Sequence, residues 1–379
     1  FKGSTLDQDI FALPLGFFIS VAVLFLNKEF VKNIITSKNV LFVLTVLALI
    51  LCYFCGVILG NGSPNPQLLM ISLLPFVFSY VIGITARKEF RSNLDNFIGE
   101  VVVCCGIISL SHIISSIVEL GILGAFVNRG SDTIFGLFSV YQKLVYYPTI
   151  LSFVFILSLY LKGRYYKYSG YIIFILIAII GSRESFVLCF LGLLSKNYFN
   201  FLEKKYKKII FFLLLVMFFL VLLYQIMPYL FENYADVTII KKITSLNESG
   251  DYSAGRGDAI NKVFGSSSGE VNTFYGTGFS MSRGDLRTPH NQYLELYLRG
   301  GILTLVPIIF LFINSLRYGL VDTKKSIRFK KVKSIFSLWL ILLLYLLVSF
   351  NVNTPMRAPY GAMLFGLVCG FFNYRSDYE

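Results

Sequence analysis

The chain has 379 residues, of which 56% are hydrophobic and only 15% are charged. A soluble domain of this size could not bury so much apolar surface, so the composition excludes an ordinary soluble enzyme. The formal net charge is +13, but most Lys and Arg residues lie in short loops between apolar runs, which argues against a nucleic-acid-binding surface. The apolar runs are continuous, whereas a membrane β-barrel would alternate apolar and polar residues.

Apolar runs that are long enough for helices crossing about 30 Å of hydrocarbon recur along the whole chain. We predict an all-α, polytopic membrane protein with about eleven transmembrane helices. The predicted spans are 10–26, 40–60, 68–86, 98–119, 144–161, 169–182, 184–195, 209–226, 302–316, 334–350 and 361–373. The sixth and seventh are short, so Ser182–Ser185 has to be a turn between them. We expect one further span before Phe1, which would make twelve in the full protein.

The basic residues predict which side of the membrane each loop faces. Of the 34 Lys and Arg residues, 22 lie in alternate regions that therefore share one side. These regions are 27–39, 87–97, 162–168, 196–208, 317–333 and the C-terminal tail. Most of the remainder lie in the long segment 227–301, where the positive-inside rule is weak. We therefore predict that the 22 residues face the cytoplasm and that segment 227–301 is periplasmic.

This topology divides the chain into three parts. Residues 1–226 carry the first eight predicted helices, and residues 302–379 carry the last three. Between them, residues 227–301 form one large periplasmic loop, which has room for a small folded subdomain with helical segments. Polar residues concentrate in this loop, so we expect the chemistry of the protein to lie there.

The segment TPHNQYLELYLRGG, residues 288–301, contains one of only two histidines in the chain. Pro289 suits the first turn of a helix, and the glycines at 300 and 301 can bend or end that helix. His290 is thereby predicted at or near a helix N-terminus, where amide donors disfavour the imidazolium ion. A neutral imidazole can accept a proton from a hydroxyl group. A capping or hydrogen-bonding histidine is the structural alternative.

Two arginines are candidate ligands for an anion. Arg183 lies in GSRES, within the predicted turn. A charge beside hydrocarbon is energetically costly, so an arginine at this position is a candidate for a functional role. Its alternative is an arginine that extends to the membrane surface or pairs with Glu184. Arg256 lies in SAGRGDAINKVFG, which is predicted as a short external helix, and a solvated ion pair with Asp258 is its alternative.

Three further arginines surround His290 in the sequence, and they are Arg283, Arg287 and Arg299. The guanidinium group suits phosphate oxygens because its donors form a planar fork. A single candidate base with several guanidinium groups next to lipid fits an anionic lipid phosphate donor and a hydroxyl acceptor. Neither a P-loop nor a glycine-rich βα turn occurs, which argues against a soluble nucleotide substrate.

The remaining candidates have plain structural alternatives. His112 lies within a predicted span, where it could relay protons or make an interhelical hydrogen bond. Asp7 and Asp9 form an external acidic pair that could hold a metal or act as a base, or could simply be solvated. Cys52 and Cys55 form CxxC inside a predicted span without a second pair, so we expect neither zinc nor a disulfide.

Three segments together resemble the O-antigen ligase/polymerase superfamily, and they occur in the order found in that family. They are GSRES with the apolar FVLCFLGLL after it, GRGDAINKVF with the later FYGTGFS, and PHNQYLELYLRGGI. The last resembles the family element HN-x-YL with a glycine seven residues further on, matched by His290, Asn291, Tyr293, Leu294 and Gly301. Two departures exist, because Arg299 stands where many members carry an acid and the aromatic residue common after the external arginine is absent.

The resemblance implies a GT-C-like membrane glycosyltransferase of the bacterial inner membrane, inverting, independent of metal and without a cofactor. Its active site would face the periplasm. His290 would be the base, and Arg183, Arg256 and Arg287 would bind the pyrophosphate of an undecaprenyl-pyrophosphate-linked oligosaccharide. Asn291 and Tyr293 would orient the histidine or the sugar. An apolar groove would hold the polyprenyl chains.

Three functions remain open at this point. A polymerase would use another undecaprenyl-pyrophosphate-linked repeat unit as the acceptor, and a chain-length regulator protein is then a possible partner. A ligase would use lipid A–core as the acceptor. A polysaccharide flippase or transporter would be no enzyme and should tolerate loss of His290. The segments around GSRES and PHNQYL favour the polymerase, which is our expectation.

Overall fold

The computed structural model describes residues 40–59, 66–89, 94–136, 138–139, 147–202, 210, 272–278, 291–329, 333–352 and 359–373. The chain separates into two compact units. The first unit comprises Phe1–Leu94 with Arg256–Glu379, and the second comprises Asp95–Gly255. The predicted span 10–26 lies outside the described residues, and so does 209–226 apart from residue 210.

The described part of the chain is mostly α-helical, as the apolar runs predict. The helices are α1 Val40–Leu59, α2 Pro66–Glu89, α3 Leu94–Val127, α4 Tyr147–Tyr160, α5 Arg164–Ile180, α6 Arg183–Leu202, α7 Gln292–Phe329, α8 Lys333–Leu344, α9 Phe350–Val352 and α10 Pro359–Asn373. A π-helical turn, Tyr345–Ser349, joins α8 to α9. A small antiparallel hairpin pairs β1, Thr133–Ile134, with β2, Phe138–Ser139.

Four helices of the described part are long and apolar enough to cross a membrane. They are Val40–Leu59, Leu94–Val127, Gln292–Lys324 and Ser334–Val352. Two shorter apolar helices, Tyr147–Tyr160 and Gly361–Asn373, accompany them. Length and composition therefore describe a helical membrane protein, while the full set of eleven spans stays a prediction.

Close backbone contact between α2 and α10 organises the first unit. A side chain on Gly366 would collide with Phe76 and Ser79, and one on Gly370 would collide with the backbone of Tyr80. The two helices therefore run parallel, with Ser79-x-x-x-Gly83 packed against Gly366-x-x-x-Gly370. Small residues four apart allow helices in a membrane to approach closely. Van der Waals contacts then stabilise the helix pair, because the hydrophobic effect does not drive association within lipid.

An aromatic cluster fills the space beside this helix pair. The ring of Phe365 lies 5.5 Å from that of Phe76, 4.8 Å from that of Phe312 and 5.6 Å from that of Phe350. All four rings are almost completely buried. Buried aromatic pairs at such distances stabilise a fold by more than the burial of their apolar area alone. The cluster joins α2, α7, α9 and α10 into one core.

A buried ion pair closes one end of the first unit. Nη1 of Arg87 in α2 lies 2.6 Å from Oδ2 of Asp322 in α7, and it also donates to the carbonyl oxygen of Phe371 in α10 at 3.3 Å. The guanidinium carbon lies 5.3 Å from the centre of the Phe371 ring. Residues 87–97 and 317–333 were both predicted on the cytoplasmic side, and the ion pair brings these two regions to the same end.

The helices α4, α5 and α6 of the second unit alternate in direction. Oη of Tyr160 and Oγ of Ser195 are 2.8 Å apart, and Ser152 donates to the carbonyl oxygen of Ser185 at 3.3 Å. The helices α4 and α6 therefore run parallel, with α5 antiparallel between them in sequence. The end at Tyr160 holds the predicted cytoplasmic regions 162–168 and 196–208 as far as they are described. The other end holds the Ser182 turn.

Candidate functional site

Asn291 caps the N-terminus of α7. Its Oδ1 accepts a hydrogen bond from the backbone N–H of Leu294 at 3.0 Å, and its carbonyl oxygen accepts one from the N–H of Glu295 at 2.9 Å. This is the usual geometry of an asparagine N-cap. The helix thus begins at Gln292, and the expectation of a first turn at Pro289 falls on a residue that the structure does not describe. Pro289 and His290 themselves lie outside the described residues.

Tyr293 points its hydroxyl group towards the π-helical turn. Its Oη donates to the carbonyl oxygen of Leu346 at 3.0 Å, and its ring meets that of Phe350 edge-on at 5.4 Å. Asn351 donates from Nδ2 to the carbonyl oxygens of Leu346 and Leu347 at 3.3 and 3.0 Å. A π-helical turn leaves carbonyl groups without their regular partners. Here side chains from α7 and α9 supply donors to them.

Arg299 is held by its own helix. Its guanidinium forms an ion pair with Glu295, one turn earlier in α7, and both side chains are largely buried. In the sequence, Arg299 is one of three arginines near His290. In the structure, its guanidinium group pairs with Glu295. Arg256, Arg283 and Arg287 lie outside the described residues. Glu295 was not identified as a partner from the sequence, although its i,i+4 spacing to Arg299 is typical of an ion pair on one helix.

A break in α7 at Gly301 is the most unusual backbone feature of this region. Gly301 has φ 59° and ψ −156°, a conformation that is essentially restricted to glycine. The freed amide groups of Ile302 and Leu303 donate to the carbonyl oxygens of Thr273 and Phe274 at 3.0 and 3.1 Å. The bend that the sequence predicts at Gly300–Gly301 is therefore confirmed.

The segment 272–278, the glycine pair 300–301 and Gly56 of α1 form one tight contact, which we name the glycine joint. The N–H of Thr277 donates to the carbonyl oxygen of Leu298 at 2.8 Å, and the thiol of Cys52 donates to that of Gly300 at 3.1 Å. Any side chain on Gly276 or Gly278 would collide with backbone atoms of this joint. Two of the segments that carry the family resemblance, FYGTG and LRGG, are thus in direct contact.

Arg183 opens α6 directly after a tight turn. Gly181 ends α5 with φ 67°, and the carbonyl oxygen of Ser182 accepts the first hydrogen bond of α6, from Phe186 at 3.1 Å. Ser182 and Ser185 are linked through their hydroxyl oxygens at 3.0 Å. The predicted turn between two helices is therefore confirmed, and it presents an exposed arginine at the start of the second helix.

An exposed apolar face follows Arg183 along α6. Val187, Phe190 and Leu194 lie four, seven and eleven residues after it, so they share its side of the helix, and all three are exposed. An exposed apolar face of this kind is expected to contact lipid tails in a membrane protein. Arg183 therefore precedes an exposed apolar face on the same side of α6.

His112 has a structural role in the second unit. It is completely buried, and its Nε2 lies 3.1 Å from the carbonyl oxygen of Ser131. Oγ of the nearby Ser116 accepts from the N–H of Ser131 at 2.9 Å and donates to the carbonyl oxygen of His112 at 2.7 Å. These bonds fix the loop after α3 onto the helix. This hydrogen bond joins His112 to a loop carbonyl and is not the interhelical bond that was one of the two alternatives.

The remaining candidates for a disulfide or a metal site are the cysteines and the acidic pair near the start of the chain. All six cysteines are free thiols, so Cys52 and Cys55 are not joined by a disulfide. Among the described residues, no group of three or more His, Cys, Asp or Glu side chains could hold a metal ion. Asp7 and Asp9 lie outside those residues.

The comparisons with known proteins assign no family to this chain. No protein-family model matches it, and neither curated proteins nor solved structures give a match. What the protein does is therefore inferred from its own residues and their geometry.

Proposed function

We propose that this chain is an O-antigen polymerase of the bacterial inner membrane. It would transfer a glycan, on the periplasmic face, from undecaprenyl pyrophosphate to a sugar hydroxyl of another undecaprenyl-pyrophosphate-linked repeat unit. The observation that carries this proposal is the glycine joint, where FYGTG packs against LRGG. Two of the segments that carry the resemblance are in direct contact in the structure, which supports the proposal.

The reaction in this proposal is a single displacement with inversion. The acceptor hydroxyl oxygen forms a bond to the anomeric carbon of the donor sugar, and the bond from that carbon to the pyrophosphate oxygen breaks. His290 takes the hydroxyl proton as general base. The electron pair leaves with undecaprenyl pyrophosphate, whose charge Arg183, Arg256 and Arg287 neutralise. Neither a metal ion nor a cofactor takes part.

Three of the residues with proposed roles lie in the described part of the chain, and the local structure of each supports the proposal. Asn291 caps α7 and so fixes the helix start that follows His290 in the sequence. Tyr293, through its hydrogen bond to the carbonyl oxygen of Leu346, joins the first turn of α7 to the π-helical turn. Arg183 heads an exposed apolar face, which fits a donor that is pyrophosphate at one end and polyprenyl at the other.

The test is the polysaccharide ladder on a gel, from cells that lack this gene and are complemented with wild type, His290→Ala or His112→Gln. His112 is the matched control because it is the only other histidine and lies in a structural hydrogen bond. The amount of each protein in the membrane is measured in parallel. A polymerase predicts that His290→Ala leaves lipid A–core with a single repeat unit and no ladder, while His112→Gln at equal protein amount keeps the ladder.

Each other outcome selects a different function. If lipid A–core lacks even the single unit and undecaprenyl-linked polymer accumulates, the protein is a ligase. If His290→Ala gives a normal ladder, His290 is not the base, and a flippase becomes the better explanation. Activity of the purified protein that disappears with a chelator would contradict the metal-independent mechanism and direct attention to Asp7 and Asp9.

A further inference from the structure

The end of the second unit opposite Arg183 carries a surface of exposed cations and tyrosines. We name it the basic tyrosine surface, and it comprises Lys162, Arg164, Lys167, Tyr165, Tyr168 and Tyr198. Each of these six side chains is exposed, and Tyr165 is 81% exposed. Nothing in the proposed transferase reaction uses these residues.

The packing of three helices brings these residues together. Lys162 lies between the last residue of α4 and the first residue of α5, and Tyr198 lies near the end of α6. Nζ of Lys196 lies 4.4 Å from the ring centre of Tyr160, which fixes the last turns of α6 beside the end of α4. Tyr166, by contrast, packs inward against Gly99 of α3. Its neighbours on both sides therefore face outward.

The exposed side of α5 carries tyrosines in its first turns and an aliphatic residue further along. Tyr165, Tyr168 and Tyr171 follow each other at helical spacing, and the exposed Ile175 continues the same side one turn further in. Tyrosine is enriched where membrane helices cross the level of the lipid headgroups, and aliphatic residues are enriched deeper in the bilayer. The order along α5 is the one expected of a helix whose first turns, with their cations, lie at headgroup level.

We propose that the basic tyrosine surface binds the phosphate headgroups of anionic phospholipids. Lys162, Arg164 and Lys167 lie within six residues and supply three positive charges, and the tyrosine hydroxyl groups add neutral donors. Basic residues beside a membrane helix attract anionic lipids through this charge. A soluble polyanion would not require the tyrosine and isoleucine stripe that continues from the cations into the apolar part of α5. The proposal is independent of the transferase function.

The preference for anionic phospholipid is tested with the purified full chain in nanodiscs of palmitoyl-oleoyl phosphatidylcholine, with or without palmitoyl-oleoyl phosphatidylglycerol. Phospholipid retained by the protein after transfer to detergent is measured by native mass spectrometry. We expect the wild type to retain phosphatidylglycerol over phosphatidylcholine. The double variant Arg164→Gln/Lys167→Gln should lower this preference about tenfold, since each basic residue near an anionic surface contributes several-fold.

The matched control removes the same charge elsewhere. Arg317 and Lys324 are exposed basic residues of α7, and Arg317→Gln/Lys324→Gln should keep most of the preference. Arg164→Lys/Lys167→Arg should also keep it, because the charges remain. Equal preference in the wild type for both lipids overturns the proposal, as does a double Gln variant that elutes as folded protein and retains phosphatidylglycerol. Loss of binding in millimolar inorganic phosphate would identify a free-phosphate site instead and would also overturn it.

Discussion

The backbone N–H of Thr277 donates to the carbonyl oxygen of Leu298 at 2.8 Å, and this bond joins a loop segment to the helix that follows His290 in sequence. Leu298 lies three residues before the break at Gly301, where regular helical bonding ends. The loop therefore satisfies backbone groups that the break would otherwise leave without partners. The glycine joint thus supplies the hydrogen-bond partners for the bend in α7.

Replacing Gly301 by Ala should destabilise the protein strongly. The φ and ψ of Gly301 are essentially restricted to glycine, which costs about 1–3 kcal/mol for another residue. A Cβ there would also collide with the carbonyl group of Phe274. Thermal unfolding in detergent should show a lower midpoint together with loss of the polysaccharide ladder. Gly124→Ala is the control, since a Cβ at Gly124 meets only the side chains of Leu120 and Asn128. An unchanged midpoint in Gly301→Ala would show that the break can be straightened.

A large residue at Gly370 should separate α2 from α10. Any side chain there collides with the backbone of Tyr80, so Gly370→Leu forces the two helices apart. Overpacking of this kind costs about 1–3 kcal/mol or more. The variant should show a lower unfolding midpoint and less protein in the membrane. Met363→Leu, at an exposed position of the same helix, should leave both unchanged. Equal stability of the two variants would contradict the close parallel packing.

Removal of one partner of the Arg87–Asp322 pair should cost more than removal of both. The side chains are only 10% and 14% exposed, so a lone charge would remain buried. Breaking such a pair costs about 3–5 kcal/mol, whereas replacing both partners by apolar residues is often neutral. We expect a lower unfolding midpoint for Asp322→Ala and for Arg87→Ala. The double variant Arg87→Met/Asp322→Leu should recover most of the loss. Additive losses in the double variant would show that the two charges act independently.

Arg183 should be required for activity and not for folding. Arg183→Ala removes charge-assisted hydrogen bonds to the donor pyrophosphate and should lower the polymer yield about tenfold or more. Arg183→Lys keeps the charge without the planar fork and should give an intermediate yield. The exposed Arg317 of α7 is the control, and Arg317→Ala should leave the yield unchanged. Wild-type yield from Arg183→Ala would remove this residue from the pyrophosphate site.

Chemical labelling should distinguish the two ends of the second unit. Asp132 and Lys167 are both exposed, on the loop after α3 and on the first turns of α5. In a cysteine-free background, Asp132→Cys should react with a membrane-impermeant maleimide added outside the cytoplasmic membrane. Lys167→Cys should react only after permeabilisation. The reverse pattern would invert the topology and place residues 227–301 in the cytoplasm, which would exclude a periplasmic reaction.

The sequence by itself determined where several of the described helices lie. Continuous apolar runs predicted α1, α2 and α4, because a stretch of this length and composition is stable mainly as a helix in lipid. The turn at Ser182–Ser185 was predicted because the chain has to reverse between two short spans there. The bend at Gly300–Gly301 was predicted because glycine can bend or end a helix. These features depend on neighbouring residues along the chain, so a linear pattern contains them.

Only the tertiary structure decided which of these elements meet. The contact of 272–278 with Gly301, the ion pair of Arg87 with Asp322 and the hydrogen bond of Tyr293 to Leu346 all join residues that are remote in sequence. Arg299, which the sequence showed only as one of three arginines near His290, pairs with Glu295. Such partners are selected by how helix faces pack and by the need to satisfy every buried polar group. That selection depends on distances between elements, which the pattern of a single chain does not contain.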